Sequence, residues 1–128
     1  MTNLNIEVPE CDLIIASDAV VGNIVYLHYS SIDVLNRALR RLKRSGRKYL
    51  LTGHMGVRST NAIDNALFYL GRLGEIVITA RQSSDPTESI QKTELQTCLP
   101  PGVVATDFEQ AFHRRNLETL IGRRLELH

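Results

Sequence analysis

Apolar residues recur with two different periods in the middle of the chain, which predicts a mixture of strands and helices. Residues 24–29 (IVYLHY) are mainly β-branched and aromatic, as expected of a strand. Ser30 and Ser31 then supply hydroxyl groups that can cap a helix. Gly46 is placed to end that helix. Between cap and glycine, apolar residues follow the i, i+3, i+4, i+7 spacing of an amphipathic helix: Leu35, Ala38, Leu39 and Leu42.

The pattern then predicts a second strand and a second helix. Residues 49–52 (YLLT) are a short buried strand, followed by a glycine loop at residues 53–56. The helix begins at Ser59 or Thr60 and ends near Gly71 or Gly74. Its inner face carries apolar residues at helical spacing: Ile63, Ala66, Leu67 and Leu70.

Two further strands complete the predicted order. Residues 75–80 (EIVITA) are predicted as a third strand and residues 117–127 as a last one. Residues 107–116 could instead form a short helix, and the pattern does not decide. The order β-α-β-α-β-β predicts an α/β fold, a two-layer sandwich with two helices on a four-stranded mixed sheet.

The predicted domain covers residues 23–128, with residues 1–22 as an N-terminal extension. Residues 82–106 are polar and contain three of the four prolines. We interpret them as a mobile arm within the domain. A length of 128 residues suits a single domain, and 43% hydrophobic residues suffice for a core.

Composition argues against several classes of protein. The first ten residues have neither the basic start nor the apolar run of a signal peptide. No stretch approaches the roughly 18 apolar residues of a membrane span, so we expect an intracellular soluble protein. Cys11 and Cys98 lack CxxC spacing, which argues against a zinc site or a disulfide framework. We expect no metal and no cofactor.

The net charge of +1 conceals a strongly basic middle block. Residues 31–81 carry a net charge of +7, whereas residues 1–30 carry −4 and residues 82–128 carry −2. A basic block of this kind favours an anionic partner such as nucleic acid. Chance clustering on a solvated surface is the alternative.

Four arginines follow the same spacing as the apolar stripe of the first helix but trail it by two positions, which places them on the opposite face: Arg37, Arg40, Arg41 and Arg44. The helix has no acidic residue after Asp33, unlike ordinary surface helices that pair Glu with Lys. Arginine side chains match phosphate oxygens, so the pattern favours a phosphate-binding face. A solvated cationic face remains the alternative.

The glycine loop is a second candidate anion site. It leads from a strand into the predicted start of a helix, where free backbone N–H groups attract anions. It lacks the spacing and the lysine of a Walker loop. A tight turn that needs glycine would explain it equally well. The candidate residues in and around the loop are Gly53, His54, Gly56, Arg58, Ser59 and Asn61.

The arginine-rich helix, followed by residues 56–67 (GVRSTNAIDNAL), resembles the Alba superfamily. In that family a strand ending in glycine feeds G-x-x-x-x-[RN]-A-[IV]-[ND]-x-A, and residues 56–66 reproduce this spacing. The resemblance covers about residues 23–82. It is closest to the small Alba-like subunit of eukaryotic ribonuclease P and ribonuclease MRP.

The resemblance implies an Alba fold, a structured RNA as ligand, and pairing with a second Alba-like subunit or with itself. It implies a non-catalytic subunit of a ribonucleoprotein that processes tRNA and rRNA in the nucleus or nucleolus. The family's RNA contacts map onto the start of the first helix, the glycine loop and the arm after the third strand, which adds Arg81. An Alba-type protein acting on chromatin or mRNA is the alternative.

Catalysis and pure protein binding are competing hypotheses. The four histidines are scattered, and no acid pair or Ser-His-Asp set has suggestive spacing, so we predict no enzyme. Phe68 is predicted outside the apolar face of the second helix, and a large exposed aromatic side chain suggests a partner surface. We therefore place a partner interface at Phe68 and Tyr69, with a protein-interaction module as the alternative function.

Overall fold

The elements of the fold are seen in a computed structural model that describes residues 6–15, 20–27, 30–52 and 56–126. In chain order they are β1 (Ile6–Val8), β2 (Leu13–Ile15), β3 (Val20–Val21), β4 (Ile24–Val25), α1 (Ile32–Arg44), β5 (Tyr49–Thr52), β6 (Gly56–Ser59), α2 (Asn61–Arg81), α3 (Pro86–Gln91) and α4 (Asp107–Glu126).

A mixed four-stranded sheet has the strand order β1-β2-β5-β6. The central strands β2 and β5 are parallel, whereas β1 with β2 and β5 with β6 are antiparallel. Helix α1 connects the two parallel strands. Strands β3 and β4 form a separate antiparallel hairpin. The prediction of an α/β fold with a mixed four-stranded sheet is therefore confirmed.

Helix α2 lies at the centre of the core. It packs against α1, the β3–β4 hairpin, β6 and α3. Its buried side chains recur at helical spacing over nearly the whole helix: Ala62, Ile63, Ala66, Tyr69, Leu70, Leu73 and Ala80. Burying each large apolar side chain contributes about 1.5–3 kcal/mol, so packing rather than propensity holds this helix.

The predicted order of elements is wrong at three places. Residues 75–80 belong to α2 and residues 117–126 to α4, so neither is a strand. The predicted first strand is reduced to β4, which pairs with β3 outside the four-stranded sheet; residues 28 and 29 lie outside the described residues. Of the four predicted strands, only residues 49–52 belong to that sheet.

The predicted arm and extension are also parts of the folded unit. Residues 82–106 contain α3 and a 3₁₀ turn at Leu95–Cys98, and they bury Ile90, Leu95 and Leu99 in the core. Pro86 is the first residue of α3, a position that suits proline because its missing N–H has no partner there in any case. In the predicted extension, β2 is an interior strand of the sheet. The side chains of β3 lie in the core.

The start of α4 holds the β3–β4 hairpin through one buried carboxylate. Thr106 and Glu109 cap the helix reciprocally: the Thr106 N–H donates to Glu109 Oε1 (3.0 Å), and the Glu109 N–H donates to Thr106 Oγ1 (3.1 Å). Glu109 Oε2 also accepts the backbone N–H of Asn23, in the hairpin turn, at 2.7 Å. Glu109 is fully buried, and its carboxylate accepts three hydrogen bonds in all, from the N–H groups of Asn23 and Thr106 and from the Thr106 hydroxyl, so it joins the hairpin to the helix.

Candidate nucleic-acid interface

Helix α1 is built as its sequence predicts. The Ser31 hydroxyl caps it by accepting the Val34 N–H at 3.1 Å. Gly46 follows its end with φ +75°, a left-handed conformation that favours glycine. The buried side of the helix carries Leu35, Leu39 and Leu42. These contacts fix the orientation of α1 about its own axis.

The opposite side of α1 is an exposed arginine face, defined by Arg37, Arg40, Arg41 and Arg44. Arg40 Nε donates to the side-chain oxygen of Asn36 at 3.0 Å. Among the described residues, none of these four arginines forms an ion pair with a carboxylate. The face therefore carries positive charge that its own fold does not neutralise.

Two neighbouring basic residues, Lys43 and Arg47, differ from the arginine face, because they are paired with carboxylates. Lys43 lies 2.8 Å from Asp64 on α2. Arg47 lies 3.1 Å from Glu7 and 3.9 Å from Asp12. The charge that the sequence shows around the end of α1 is thus partly compensated within the fold, which concentrates the uncompensated charge on the arginine face.

An open depression lies at the N-terminal half of the arginine face, lined by Asp33, Asn36, Arg37 and Arg40. Asp33 also lines a groove of about 430 Å³ between α1, α2 and α4. Arg81 and Arg123 line the groove as well, and Arg123 donates to the Ser30 carbonyl at 2.6 Å. The candidate surface thus continues from α1 to the end of α2.

Arg123 was missed by the sequence reasoning, because residues 117–127 were predicted as a strand remote from the first helix. No local signal in the sequence links it to Ser30, which lies 93 positions earlier. Arg81, which the resemblance placed in an arm after a third strand, is instead the last residue of α2. The structure brings it beside the start of α1.

The predicted glycine loop lies partly outside the described residues. Gly53 and His54 lie outside the described residues, and Gly56 and Ser59 belong to β6, which pairs with β5. The segment is therefore a β-hairpin, not a loop that leads directly from a strand into a helix. Asn61 is exposed in the first turn of α2.

Arg58 has a structural contact that the sequence did not predict. Its Nη2 donates to the side-chain oxygen of Asn23 at 2.8 Å, and Asn65 Nδ2 donates to the same oxygen at 2.9 Å. Arg58 is half-buried and ties β6 to the hairpin turn that Glu109 holds from the other side. At least one of its guanidinium nitrogens is therefore engaged within the fold.

Arg37 and Arg58 lie toward opposite ends of α1, because α1 and α2 are antiparallel. The Lys43–Asp64 pair joins the end of α1 to the start of α2, and the groove joins the start of α1 to the end of α2. Arg58 immediately precedes α2, so it lies near the end of α1 and away from Arg37. Strand β6 reverses the chain between β5 and α2.

The two predicted partner residues are separated by the fold. Phe68 is 42% exposed on α2, as expected of an outward-facing aromatic residue. Tyr69 is fully buried, and therefore cannot contribute to a partner surface. It lies on the face of α2 that contacts α4.

Tyr69 belongs to a buried chain of hydrogen bonds with His113 and Asn116. Asn116 Nδ2 donates to the Val25 carbonyl (2.7 Å) and to Tyr69 Oη (2.9 Å), and its Oδ1 accepts the Leu27 N–H (2.8 Å). Since Oη accepts from Asn116, its own proton is free for His113 Nδ1 at 2.7 Å. His113 Nε2 then donates to the Thr93 carbonyl at 3.1 Å. When His113 is neutral and carries its proton on Nε2, every side-chain donor and acceptor named in this network has a partner.

This network is structural in character. Burial raises the pKa of the Tyr69 phenol far above its usual range, so the phenol keeps its proton. Burial also lowers the pKa of His113, although its hydrogen bond to Thr93 opposes the shift. Tyr69, His113 and Asn116 are all buried. The network therefore joins α2, α4 and β4 inside the core.

We expect the protein to lose stability as the pH falls below about 6.5, where an unfolded-state histidine titrates. Folded His113 binds its proton less readily than the unfolded chain, so its contribution is complete above that pH and is lost as the pH falls through the folded-state pKa. Denaturant unfolding at a series of pH values measures this dependence. His113→Gln should flatten it, and an unchanged pH profile in that variant would contradict the assignment.

The described residues contain no group of three or more His, Cys, Asp or Glu side chains arranged to hold a metal ion. Among the described helices, none combines the length and apolar character needed to cross a membrane. Comparison with protein-family models, with curated proteins and with solved structures found no match in any of the three.

Proposed function

We propose that the protein binds structured RNA through the arginine face of α1 and acts as a non-catalytic subunit of a ribonucleoprotein. The observation that carries this proposal is the concentration of four exposed arginines on one helix face without a carboxylate partner among the described residues. Retaining such mutually repelling charges is accounted for by an anionic ligand, and guanidinium groups match phosphate oxygens.

The proposed binding mode uses the phosphate backbone. Arginines on a helix face carry little base information by themselves, so affinity should depend weakly on RNA sequence. Residues at the ends of the arginine face, Arg37 and Arg44, are about 10 Å apart at a rise of about 1.5 Å per residue. The face can therefore contact several consecutive phosphates, with Arg81 and Arg123 extending the surface at one end.

The narrower assignment to an Alba-like subunit of ribonuclease P or MRP remains a prediction. It rests on residues 56–67, which form β6 and the first turns of α2. Residues 75–80 and 117–126 are helical, whereas the predicted Alba-like order has strands at these positions. The arginine face is independent of that resemblance, and so is the proposal of RNA binding.

Titration of a labelled hairpin RNA with the purified chain, followed by fluorescence anisotropy, tests the proposal. We expect the logarithm of affinity to fall linearly with the logarithm of salt concentration, by about 0.9 per phosphate contact, hence a slope of about −3 to −4 for the arginine face. Absence of binding at about 50 mM salt would overturn it. Cleavage of the RNA by the chain alone would overturn the non-catalytic part.

A protein-interaction module is a second candidate, favoured by the exposure of Phe68 on α2. A large aromatic side chain in water suits a partner that buries it. The salt dependence of binding separates the two candidates, because burial of an aromatic side chain responds weakly to ionic strength, whereas phosphate contacts respond strongly.

A competing double-stranded DNA of the same length in the RNA titration distinguishes RNA from chromatin as the target.

A further inference from the structure

The four-stranded sheet has an apolar face that points away from the helices. Cross-strand pairing aligns Ile6 with Ile15 and Val8 with Leu13 across β1 and β2. It continues from Leu13 to Tyr49 and from Ile15 to Leu51 across β2 and β5. Because paired residues share a face of the sheet, these side chains form one surface. We call it the outer face, and its members are Ile6, Val8, Leu13, Ile15, Tyr49, Leu51 and Ser59.

The core lies on the other side of the sheet. Ile14 and Leu50, which alternate with the outer-face residues, are fully buried in it. By contrast, Ile6 is 58% exposed and Tyr49 is 47% exposed. None of the outer-face residues is among the partly buried side chains that pack against the core. Within the described ranges, the outer face is thus largely apolar and free of charged residues. It is exposed at Ile6, Tyr49 and Ser59, whereas Val8, Leu13, Ile15 and Leu51 are half-buried.

An apolar outer face of this kind is unusual for a sheet in an isolated chain. Sheets made only of parallel strands occur almost only with both faces covered, and the parallel pair β2 and β5 at the centre of this mixed sheet has apolar side chains on both faces, as such strands do. An antiparallel sheet with one face in water normally shows polar side chains there. Leu13, Ile15 and Leu51 instead follow the pattern of strands buried on both faces.

We propose that a second copy of this chain covers the outer face, with the two sheets packed face to face. A twofold axis that runs along the strands, between β2 and β5, places β1 of one copy over β6 of the other. The same axis places β2 over β5, with strand directions aligned as in packed sheets. An interface of this type uses the same patch on both copies, and an uncharged apolar patch is chemically complementary to itself.

An acidic and a basic side chain at one end of the sheet are placed so that this axis brings them together between the two copies. Glu10 lies in the turn between β1 and β2, and Lys48 lies just before β5, at the same end because Leu13 pairs with Tyr49. Both are exposed, and neither forms an ion pair within the described residues. The twofold axis brings the acidic turn of each copy toward the basic turn of the other. The self-association is therefore favourable in charge as well as in apolar contact.

The size of the outer face sets the strength of the dimer. Its strands are three or four residues long, so four strands spaced about 4.8 Å apart give a patch of only about 19 by 13 Å. Stable interfaces bury about 800 Å² of accessible surface per partner, more than this patch supplies. We therefore expect a dimer that dissociates on dilution. The arginine face lies on the side of α1 opposite its buried leucines, so dimerisation leaves it exposed in both copies.

Sedimentation equilibrium of the full chain over a range of concentrations tests the proposal. We expect reversible dimerisation that Ile6→Lys weakens at least tenfold, because it places a charge in the interface from an exposed position on an edge strand. Val104→Lys is the matched control, since Val104 is 77% exposed outside the sheet, and it should leave the dimer unchanged. Circular dichroism verifies that both variants fold.

Charge swapping tests the axis. Glu10→Lys and Lys48→Glu should each weaken the dimer about two- to fivefold, as expected for exposed ion pairs, and the double variant should restore it. Failure of the double variant to recover would overturn this axis. A chain that stays monomeric at all concentrations would overturn the proposal. So would a dimer that Phe68→Asp dissociates and Ile6→Lys does not, which would place the interface on α2. RNA binding by a monomer would leave the proposed function intact.

Discussion

Replacing Arg37 and Arg44 together with alanine should weaken RNA binding about ten- to a hundredfold. Each removes one charge-assisted contact to phosphate, worth about 1–1.5 kcal/mol, and about 1.4 kcal/mol corresponds to a tenfold change in affinity. The loss should be similar for RNAs of different sequence, and the salt slope should become shallower by nearly two units. Anisotropy titrations at several salt concentrations measure both effects.

The matched control is Lys92→Ala with Arg114→Ala. It also removes two exposed positive charges, but from α4 and the turn after α3. It should change affinity less than threefold, because only long-range attraction is lost. Equal losses in the two double variants would mean that net charge, not the arginine face, holds the RNA. Both variants leave the buried leucines of α1 intact, so their folding should be unaffected.

Gly22→Ala should reduce the free energy of unfolding by about 2–4 kcal/mol. Gly22 has φ +63°, where a Cβ atom costs about 1–2 kcal/mol. That atom would also lie 2.7 Å from Glu109 Oε2 and displace the carboxylate that accepts the Asn23 N–H. Displacing a packed group adds about 1–3 kcal/mol. Urea denaturation followed by circular dichroism measures the change.

The Gly46→Ala variant separates the backbone cost of a positive φ from the cost of displacing the Glu109 carboxylate. Gly46 has a similar φ of +75°, but no heavy atom lies within 4 Å of the position its Cβ would take. Its replacement should therefore cost only the backbone term of about 1–2 kcal/mol. Equal destabilisation by the two substitutions would show that Glu109 moves aside freely and does not clamp the hairpin.

Helix α1 could be predicted almost entirely from the sequence, because its signals agree. Its cap, its leucine stripe and its terminating glycine all lie in one local segment, and the structure has each where expected. The arginine face follows from the same periodicity. Strand β5 was also predicted at its observed bounds. Local and tertiary preferences coincide in these elements.

Helix α2 was predicted too short because its glycines were interpreted as an end. Gly71 and Gly74 lie inside the helix, and neither has positive φ. The β-branched residues 76–78 favour a strand locally, but Leu73 and Ala80 keep the helical spacing of buried positions on either side of them. Tertiary packing outweighed local propensity here.

Helix α4 was predicted only in part: a helix at residues 107–116 was left undecided, and residues 117–127 were predicted as a strand. Its buried face includes three polar residues, Glu109, His113 and Asn116, before Leu117 and Leu120. A search for apolar periodicity cannot recognise a face of this kind. The partners that justify these buried polar groups lie far away in the sequence, so no local signal could show them. The antiparallel packing of α1 and α2 was missed because the β5–β6 hairpin was interpreted as a loop.

The hydrogen bonds that α4 makes to the first quarter of the chain bear on how the protein folds during its synthesis. Glu109, Asn116 and Arg123 bind backbone groups of residues 23–30, which lie 86 to 93 positions earlier. Until a ribosome has released those helical residues, the backbone groups that they bind lack these native partners. Closing so long a loop is entropically costly before the contacts form. This part of the core can therefore be completed only after α4 has been synthesised.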